Sequence, residues 1–505
     1  MVAARRVSEL ARCVLAIDQG TTGTTVIVVD AGGRIRGRAY GELRQYYPRP
    51  GWVEHDAEQI YRSVLKLGRE AIANARLRDG DLAAIGITNQ RETFVVWERK
   101  SGRPMHRAIV WQCRRSADLC ERLRDREDEV TERTGLLVDP YFSGTKLKWL
   151  LDQDPTLRRR AIRGELCFGT IDTWLIFKFS RGTAFVTDFT NASRTMMLNL
   201  DRLEWDSRMI EMLGVPSSML PTPVPSRGPL AEAAPGIFGD RAIPITASIG
   251  DQQAALFGQG GVATGDAKVT YGTGAFLLMN TGKARPRSHN RLLSTVALGP
   301  GGEPAYALEG SVFIAGAAVQ WLRDELNLIA KASDTRALAA RSRDRTAPYF
   351  VPAFVGLGAP HWDSAARGAI FGLTRGTTRA DIIRATLDSI AYQIHDVLVA
   401  MEKDSGHRIP ELRVDGGASA NDYLMQFQAD LFGRPLRRPS MRETTVLGAA
   451  ILAGIAAGVW RSAEELKALK RVGRAFRPQM RAAERAKLLA GWRDAVSRTL
   501  SSRER

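Results

Sequence analysis

The sequence predicts an α/β protein built from two related domains. With 505 residues, 44% of them hydrophobic, the chain is long enough for more than one core, because a domain usually takes roughly 100 to 200 residues. Two short loops of similar composition, each between apolar runs, lie in the two halves of the chain at 18–23 and 271–274. Strand, glycine turn and helix patterns follow one another at 243–258 and at 412–433. We therefore predict domains at 1–255 and 256–505.

The first loop lies in Val14–Asp30, where a turn of small and hydroxyl residues joins two apolar strands. Small residues let backbone N–H groups approach a phosphate closely, and Thr21 and Thr22 add hydroxyl donors. Asp18 supplies a carboxylate suited to a magnesium shell. A similar unit recurs at 267–279. An ordinary hairpin explains either loop alone, but the pair indicates a duplicated domain that faces one nucleotide across a cleft.

Asp251 occupies the turn between an apolar run, Ile243–Ile249, and the start of a packed helix. The carboxyl ends of strands are where α/β folds gather their ligands, and a carboxylate in that place can act as a general base. The alternative is that Asp251 only caps the helix, since Asp is a preferred N-cap residue.

A third glycine turn, Gly416-Gly417, lies between a strand and a helix within 412–433. Apolar residues recur at helical spacing after the turn, Ser419 or Asn421 can cap the helix, and Gly433 ends it. The two glycines would let the backbone lie flat against an adenine or its ribose. A tight turn without a ligand is the alternative.

Composition argues against membrane-spanning, secreted, zinc-binding and nucleic-acid-binding proteins. No apolar run reaches the 18 residues of a membrane span, and the basic N-terminus lacks the apolar core of a signal peptide, so we expect a cytoplasmic protein without a membrane span. The four cysteines lack the C-x-x-C spacing of zinc or redox sites. The net charge of +17 comes from arginines interspersed with acids, as in 122–129, without a nucleic-acid-binding motif. We expect the charge to attract anionic substrates and no nucleic acid to bind.

These motifs, in this order, resemble the FGGY carbohydrate kinase family, and within it the glycerol kinases. The resemblance runs from about Val14 to Trp492 and includes two long stretches, Tyr141–Gln153 and Gly368–Asp388. Several long motifs in one order are far more specific than one glycine-rich loop. The family belongs to the actin, Hsp70 and hexokinase superfamily. The resemblance therefore implies two ribonuclease-H-like, actin-type α/β domains with the active site in the cleft between them.

The resemblance implies ATP-dependent phosphorylation of glycerol to sn-glycerol 3-phosphate, with Asp251 as the general base. Arg91 and Glu92 match the pair that glycerol kinases carry, and together with Asp251 they offer the donors and acceptors that a triol needs. Alone, they would be interpreted as a solvated surface pair. Further residues that the resemblance places against the acceptor are a hydroxyl contact, two apolar walls and a neighbour of the base: Tyr141, Trp111, Phe276 and Gln252.

The resemblance also implies that ATP and Mg²⁺ bind, the metal at Asp18. The family's nucleotide positions fall on Thr21, Thr22, Gly23, Thr273, Gly316, Gln320, Gly417 and Asn421. One departure affects this site, because related enzymes carry a serine, a small residue and an arginine where this chain has Gly23, Thr24 and Thr25. A hydroxyl and a cation are thereby lost, so we predict an active kinase of modest ATP affinity in which another basic side chain offsets the loss.

Two alternatives remain open at this point. The chain could phosphorylate another polyol or a ketose, or it could be a nucleotide-gated interaction protein of the actin or chaperone type that hydrolyses ATP without a small acceptor. The second alternative has no need of Arg91, Glu92 and Asp251 as a polar set. Because the family commonly forms dimers and tetramers, we also expect a homo-oligomer of this chain.

Overall fold

The structure is a computed structural model that describes residues 13–342, 348–363, 365–441, 443–466 and 472–501. The described residues form two compact units. Unit 1 takes those of 1–262, 295–306 and 443–469, and unit 2 takes those of 263–294, 307–442 and 470–505. The division into functional domains at 1–255 and 256–505 stays a prediction. The two compact units do not divide the chain at a single point, because two later segments, 295–306 and 443–469, belong to unit 1.

The strands up to residue 250 belong to unit 1. They are β1 Cys13–Gln19, β2 Gly23–Asp30, β3 Ile35–Glu42, β4 Glu54–His55, β5 Leu82–Asn89, β6 Phe94–Glu98, β7 Ala108–Ile109, β8 Leu166–Thr170, β9 Val186–Asp188, β10 Leu198–Asn199, β11 Glu204–Trp205, β12 Thr222–Val224, β13 Arg227–Ala233 and β14 Ile243–Gly250. The later strands are β15 Ala267–Tyr271, β16 Ala275–Gly282, β17 Leu293–Leu298, β18 Pro304–Val312, β19 Tyr349–Val351, β20 Ala369–Phe371, β21 Leu412–Asp415, β22 Leu436–Pro439 and β23 Val472–Phe476.

The α-helices before residue 260 are α1 Ala57–Asn74, α2 Ala117–Arg122, α3 Glu127–Thr134, α4 Ser143–Gln153, α5 Pro155–Ile162, α6 Ile171–Phe179, α7 Phe189–Ala192, α8 Ser207–Leu213 and α9 Asp251–Gly258. The later ones are α10 Gly316–Asp324, α11 Asp334–Ala339, α12 Arg379–Ser405, α13 Asp422–Phe432, α14 Thr444–Ala456 and α15 Ala482–Thr499. Short 3₁₀ turns occur at Arg124–Arg126, Ser217–Met219, Gly417–Ala420 and Ala463–Leu466. Within the described ranges, no helix combines the length and the apolar character that crossing a bilayer requires.

The main sheet of unit 1 has the strand order β13-β14-β5-β1-β2-β3. Strands β1, β2 and β3 form an antiparallel meander, whereas β5 runs parallel to both β1 and β14. In the register, Asp18 lies opposite Thr88, and Gly250 lies opposite Asn89. The carboxyl ends of β1, β5 and β14 are therefore level, and the residues that follow them meet at one edge of the sheet.

Helix α14 packs against strands β1, β5 and β14 of this sheet and against α9. Its interior is buried throughout from Val446 to Gly454. Small residues bring α14 and α9 close together, since a Cβ atom on Gly448 would collide with the carbonyl oxygen of Ala254 in α9. The helix that starts at Asp251 is thus supported by a segment from much later in the chain.

The sheet that holds most strands of unit 2 has the order β17-β18-β16-β15-β21-β22-β23. Here β15 and β16 form an antiparallel hairpin, and β21 runs parallel to both β15 and β22. A hairpin beside parallel strands is the arrangement of β1, β2 and β5 in unit 1. This repetition agrees with the predicted pair of ribonuclease-H-like, actin-type α/β domains.

Candidate active site

Asp251 is the first residue of α9, directly after β14. The N-cap position belongs to Gly250, which has no side chain, so the alternative that Asp251 serves as the helix cap is wrong. Its carboxylate accepts a hydrogen bond from the backbone N–H of Gln252 at 2.7 Å, and Oδ1 lies 3.3 Å from Nε of Arg91. The side chain keeps 28% of its surface exposed, so a substrate hydroxyl can reach it.

Arg91 is the central side chain of the predicted acceptor set and is only 2% exposed. Besides its contact with Asp251, it donates to Oε1 of Gln253 at 3.3 Å and to the hydroxyl of Tyr141 at 3.4 Å. Gly250 makes room for it, because a Cβ atom there would lie 2.8 Å from Cγ and Cδ of Arg91. The glycine before the predicted base is therefore required by the neighbouring arginine.

Glu92 is also buried, and its backbone is left-handed with a φ of 61°. Such a backbone is costly for a residue with a side chain, and it tends to persist where surrounding contacts hold it. Arg194 donates to Glu92 Oε1 at 2.6 Å, and Ser143 donates to its carbonyl oxygen at 2.8 Å. The alternative of a solvated surface pair at Arg91 and Glu92 is wrong, because both side chains are buried. The two residues lie in the link between β5 and β6, which belong to different sheets.

Two aromatic residues of the acceptor set contact one another. The rings of Trp111 and Tyr141 pack edge to face with centroids 5.6 Å apart. The indole Nε1 of Trp111 donates to Oγ1 of Thr21 at 2.8 Å, which joins this aromatic pair to the first phosphate loop. Because Thr21 accepts this hydrogen bond, its own hydroxyl proton is free to point toward another acceptor.

Lys146 was not predicted from the sequence, yet it holds both aromatic residues. Its ammonium group is buried in α4 and donates to the carbonyl oxygens of Tyr141 at 2.9 Å, Val110 at 3.3 Å and Trp111 at 3.4 Å. Burial lowers the pKa of Lys146 to about 8. A lysine between the apolar positions of a helix, inside the stretch 141–153 that carries the resemblance, was the signal that could have revealed it.

A buried polar network behind Gly250 also escaped prediction. The hydroxyl oxygen of Thr190 accepts a hydrogen bond from the backbone N–H of Gly250 at 2.7 Å, and Thr190 in turn is bound by Asp188. Asp172 lies close by, and burial raises the pKa of both carboxyls, that of Asp188 to about 6. The run of hydroxyl, amide and charged residues at 187–194, which also includes Arg194, was the available signal.

The first phosphate loop is the predicted hairpin turn. Strands β1 and β2 pair antiparallel, and the backbone N–H of Gly20 donates to the carbonyl oxygen of Gly23 at 2.9 Å. Thr21 is half-buried and Thr22 is exposed. The loop therefore presents two hydroxyl groups and a tight backbone at the same sheet edge as Asp251.

Asp18, near the end of β1, has its pKa raised to about 7 by burial and by the nearby charge of Asp251. Two carboxylates that repel one another are stabilised by a cation between or beside them. Mg²⁺ is usually bound through one or two carboxylates together with substrate phosphates. The donor chemistry thus fits the predicted magnesium position. Over the described ranges, no cluster of three or more His, Cys, Asp or Glu residues is arranged to hold a metal by itself.

The second phosphate loop, in unit 2, is the turn between β15 and β16. Gly272 donates its N–H to the carbonyl oxygen of Gly274 at 2.8 Å. The carbonyl oxygen of the exposed Thr273 accepts from Ala315 at 2.9 Å and from Ala317 at 3.0 Å, so the start of α10 is fixed against the loop. Helix α10 carries two predicted nucleotide residues, the half-buried Gly316 and the exposed Gln320.

The two glycines of the third turn, Gly416 and Gly417, differ in their surroundings. Gly416 has a φ of 85°, and a Cβ atom there would collide with the backbone of Tyr271, so the fold itself requires this glycine. A Cβ atom on the exposed Gly417 would meet nothing within 4 Å. Asn421 caps α13, as predicted, by accepting from the N–H groups of Tyr423 and Leu424. Packing therefore does not explain Gly417, whereas a flat ligand against the backbone would.

Hydrogen bonds, ion pairs and one ring contact join a set of predicted residues in unit 1: Thr21, Arg91, Glu92, Trp111, Tyr141, Asp251 and Gln252. Asp18, Thr22 and Gly23 also belong to unit 1, and unit 2 carries the rest: Thr273, Phe276, Gly316, Gln320, Gly417 and Asn421. Phe276 is half-buried on β16. The role of each residue, and the predicted cleft that would join the two sets, remain predictions.

Comparison with known proteins agrees with this architecture. Residues 13–258 match the N-terminal domain model of the FGGY family of carbohydrate kinases, and residues 267–457 match its C-terminal domain model. The chain is 52% identical over 494 residues to glycerol kinase 2 of Thermotoga maritima, covering 97% of this chain and 99% of the relative. It is 53% identical over 493 residues to glycerol kinase of Salmonella arizonae, covering 97% and 98%.

Solved structures give the same result. The crystal structure of Plasmodium falciparum glycerol kinase with ADP matches with a TM-score of 0.91 and 35% sequence identity, covering 97% of this chain and 99% of that one. Gluconate kinase from Lactobacillus acidophilus matches with a TM-score of 0.85 at 22% identity, which supports the shared fold alone.

Proposed function

The chain belongs to the FGGY family of carbohydrate kinases, and on this premise we propose that it transfers a phosphoryl group from ATP to glycerol, giving sn-glycerol 3-phosphate and ADP. The observation that carries the proposal is that the buried Arg91 and Glu92 lie beside the partly exposed Asp251, so that three charged side chains meet at one strand edge. Relatives that share more than half of the sequence bear the name glycerol kinase. We propose that the enzyme acts in the cytoplasm as a homo-oligomer.

The acceptor set is matched to a small triol. Arg91 offers N–H donors, while Glu92 and Asp251 offer carboxylate oxygens, so neighbouring hydroxyl groups each find a partner. The Tyr141 hydroxyl adds a contact, and Trp111 provides an apolar wall for the carbon chain. A substrate that lacks one hydroxyl would leave a buried charged group without its partner, which gives such a pocket strong selectivity.

Asp251 accepts the proton of the primary hydroxyl as that oxygen attacks the γ-phosphate in line. Arg91, 3.3 Å away, and the N–H of Gln252 hold the carboxylate in one orientation. The base is thus positioned before the substrate arrives, and this preorganisation supplies much of the rate enhancement.

The nucleotide is held by the hydroxyl groups of Thr21 and Thr22, the backbone around Gly23, and the unit 2 residues Thr273, Gly316, Gln320, Gly417 and Asn421. Asp18 would hold Mg²⁺, which when bound neutralises phosphate charge and orients the γ-phosphate. The ammonium of Lys146 and the Thr190 network keep the aromatic walls and Gly250 in place around the acceptor.

The test is a coupled assay for ADP with and without glycerol, followed by a panel of erythritol, dihydroxyacetone, xylulose and gluconate. We expect ADP production that depends on glycerol, with glycerol the best acceptor. A better acceptor in the panel would replace glycerol in the proposal. ADP release at full rate without any acceptor would instead support a nucleotide-gated interaction protein.

A further inference from the structure

Tyr40 covers Gly23, the second of the two glycines in the first phosphate loop. A Cβ atom placed on Gly23 would lie 2.8 Å from the Tyr40 hydroxyl oxygen and 2.9 Å from its ring carbon Cε2. It would also lie 2.7 Å from the carbonyl oxygen of Gly41. The space that any side chain at position 23 would use is therefore taken by the end of the Tyr40 ring.

The strand register explains how Tyr40 reaches this place. Strands β2 and β3 pair antiparallel with Thr25 opposite Tyr40 and Gly23 opposite Glu42. Residues two apart along a strand point to the same face, so Tyr40 shares its face with both Gly23 and Thr25. Buried and exposed residues alternate along β3, and Tyr40 is on its exposed face.

The hydroxyl group of Tyr40 is available to a ligand. The side chain is 49% exposed, so solvent or a ligand can reach it. Nothing in the described part of the chain hydrogen-bonds to its hydroxyl. An exposed phenol beside a turn of backbone donors and threonine hydroxyls is suited to an oxyanion.

We propose that Tyr40 is a nucleotide-binding residue, whose hydroxyl donates a hydrogen bond to the terminal phosphates of ATP and ADP at the first phosphate loop. Its ring replaces the side chain that Gly23 lacks, so positions 23 and 40 act as a pair. The inference rests on the proposed function, because it assigns a further residue to the nucleotide site of that reaction. It also supplies a neutral donor to a loop in which Thr25 supplies no positive charge.

Tyr40→Phe is the direct test, since it keeps the ring over Gly23 and removes only the hydroxyl. We expect the KM for ATP to rise about tenfold with the KM for glycerol unchanged, as for the loss of one hydrogen bond to a charged group. Equilibrium binding of MgADP should weaken by a similar factor, whereas binding of adenosine should not change. The matched control is Tyr47→Phe, at a 68% exposed tyrosine whose hydroxyl donates to Gln45 and which should leave all four values unchanged.

A double-variant cycle tests the pairing of the two positions. Gly23→Ala should raise the KM for ATP strongly in the parent chain, because the new Cβ must displace Tyr40. The same change should cost less in a Tyr40→Ala background, although the Gly41 carbonyl still opposes it. Circular dichroism and thermal unfolding of each variant show whether the chain has folded.

The outcomes separate this inference from the proposed function. A parent chain without glycerol-dependent ADP production contradicts the function itself. A parent chain with that activity, but with Tyr40→Phe equal to the parent in ATP saturation and MgADP binding, overturns the role of Tyr40. Equal costs of Gly23→Ala in both backgrounds overturn the pairing.

Discussion

In unit 1, Arg91 and Glu92 are buried charged side chains that contact one another and the partly exposed Asp251. In unit 2 the predicted nucleotide residues are glycines and polar residues on turns and on helix α10, several of them exposed. Arg91 contacts Asp251, Tyr141 and Gln253, and Glu92 is bound by Arg194. By contrast, Thr273, Gln320 and Gly417 are exposed. The acceptor set is therefore defined by side-chain chemistry, and the nucleotide set of unit 2 mainly by the shape of the backbone.

This difference has a consequence for substitutions. Removing one member of an interlocked set of charges leaves its partner buried and uncompensated, so conservative changes in unit 1 should be severe. Changes in the unit 2 turns should be mild unless they add an atom where the backbone or a ligand must lie.

The largest effect is expected for Asp251→Asn. The change keeps the shape of the side chain and removes the proton acceptor, so turnover should fall by roughly 100-fold or more while ATP still binds. Stopped-time assays of ADP and equilibrium nucleotide binding measure the two quantities. Asp152→Asn, at a surface carboxylate paired with Lys148, is the control and should be silent. Near-normal turnover in Asp251→Asn would remove Asp251 from the chemistry.

Arg91→Ala should raise the KM for glycerol sharply with little change in ATP affinity. Loss of buried donors to hydroxyl and carboxylate partners costs about 1 to 3 kcal/mol, which corresponds to roughly 5- to 150-fold. Glycerol and ATP saturation curves give the two values, and Arg241→Ala, at an arginine with 76% exposure, is the control. An equal rise in both KM values would show that Arg91 supports the fold rather than the acceptor.

The neighbouring glycines of the unit 2 turn should behave differently from each other. Gly416→Ala places a Cβ against Tyr271 at a positive φ, so we expect a loss of stability of about 1 to 3 kcal/mol. Gly417→Ala meets no protein atom, so thermal unfolding should stay unchanged while the KM for ATP rises severalfold. If Gly417→Ala leaves ATP saturation unchanged, the nucleotide does not lie against this residue.

Lys146 gives the acceptor set a pH dependence. Its pKa in the folded protein is about 8 against an ordinary value of 10.5, so between these values the folded chain has lost a proton that the unfolded chain still holds. By linkage, the contribution of this group to stability increases with pH across that window. In the folded protein, the ammonium group that donates to the carbonyl oxygens of Trp111 and Tyr141 loses its charge around pH 8, so the KM for glycerol should rise severalfold as the pH passes about 8. Lys146→Met should lack this step.

The smallest effect is expected for Thr25→Arg, which places a cation near the first phosphate loop. We expect the KM for ATP to fall by a few-fold, because an arginine can neutralise part of the phosphate charge. ATP saturation of the variant and the parent decides the matter. An unchanged or higher value would show that the face shared with Tyr40 leaves no productive position for the longer side chain.

Much of the fold followed from the sequence because its signals are local. The loop 18–23 has the composition of a hairpin turn, and the apolar run ending at Gly250 has that of a strand before a helix. The duplicated domain could be predicted because each of the two phosphate loops is recognisable from its own local composition. The return of α14 to unit 1 was not visible, since pairing between distant segments leaves no mark on either segment alone.

The candidate site was predicted in two ways. Asp251, Asp18 and the threonines of the first phosphate loop followed from turns after apolar runs, whereas the acceptor residues followed only from the resemblance. Arg91 and Glu92 taken by themselves indicated a surface pair, and the structure shows them buried. Lys146 and Arg194 were missed because a lone cation in an apolar or hydroxyl-rich stretch has no defined partner until the chain folds. Tyr40 gave no signal, because its role depends on the absence of a side chain at Gly23, on a different strand.

The position of α14 sets an order of events during synthesis. The synthesis of strands β1, β5 and β14 and helix α9 is complete at residue 258, yet the helix that covers them begins only at Thr444. At a translation rate of about 5 to 20 residues per second, the delay is roughly 10 to 40 s. For that time an apolar sheet face on the nascent chain lacks its cover. We therefore expect folding of the nascent chain to be more sensitive to chaperones and to elongation rate than the stability of the finished molecule would suggest.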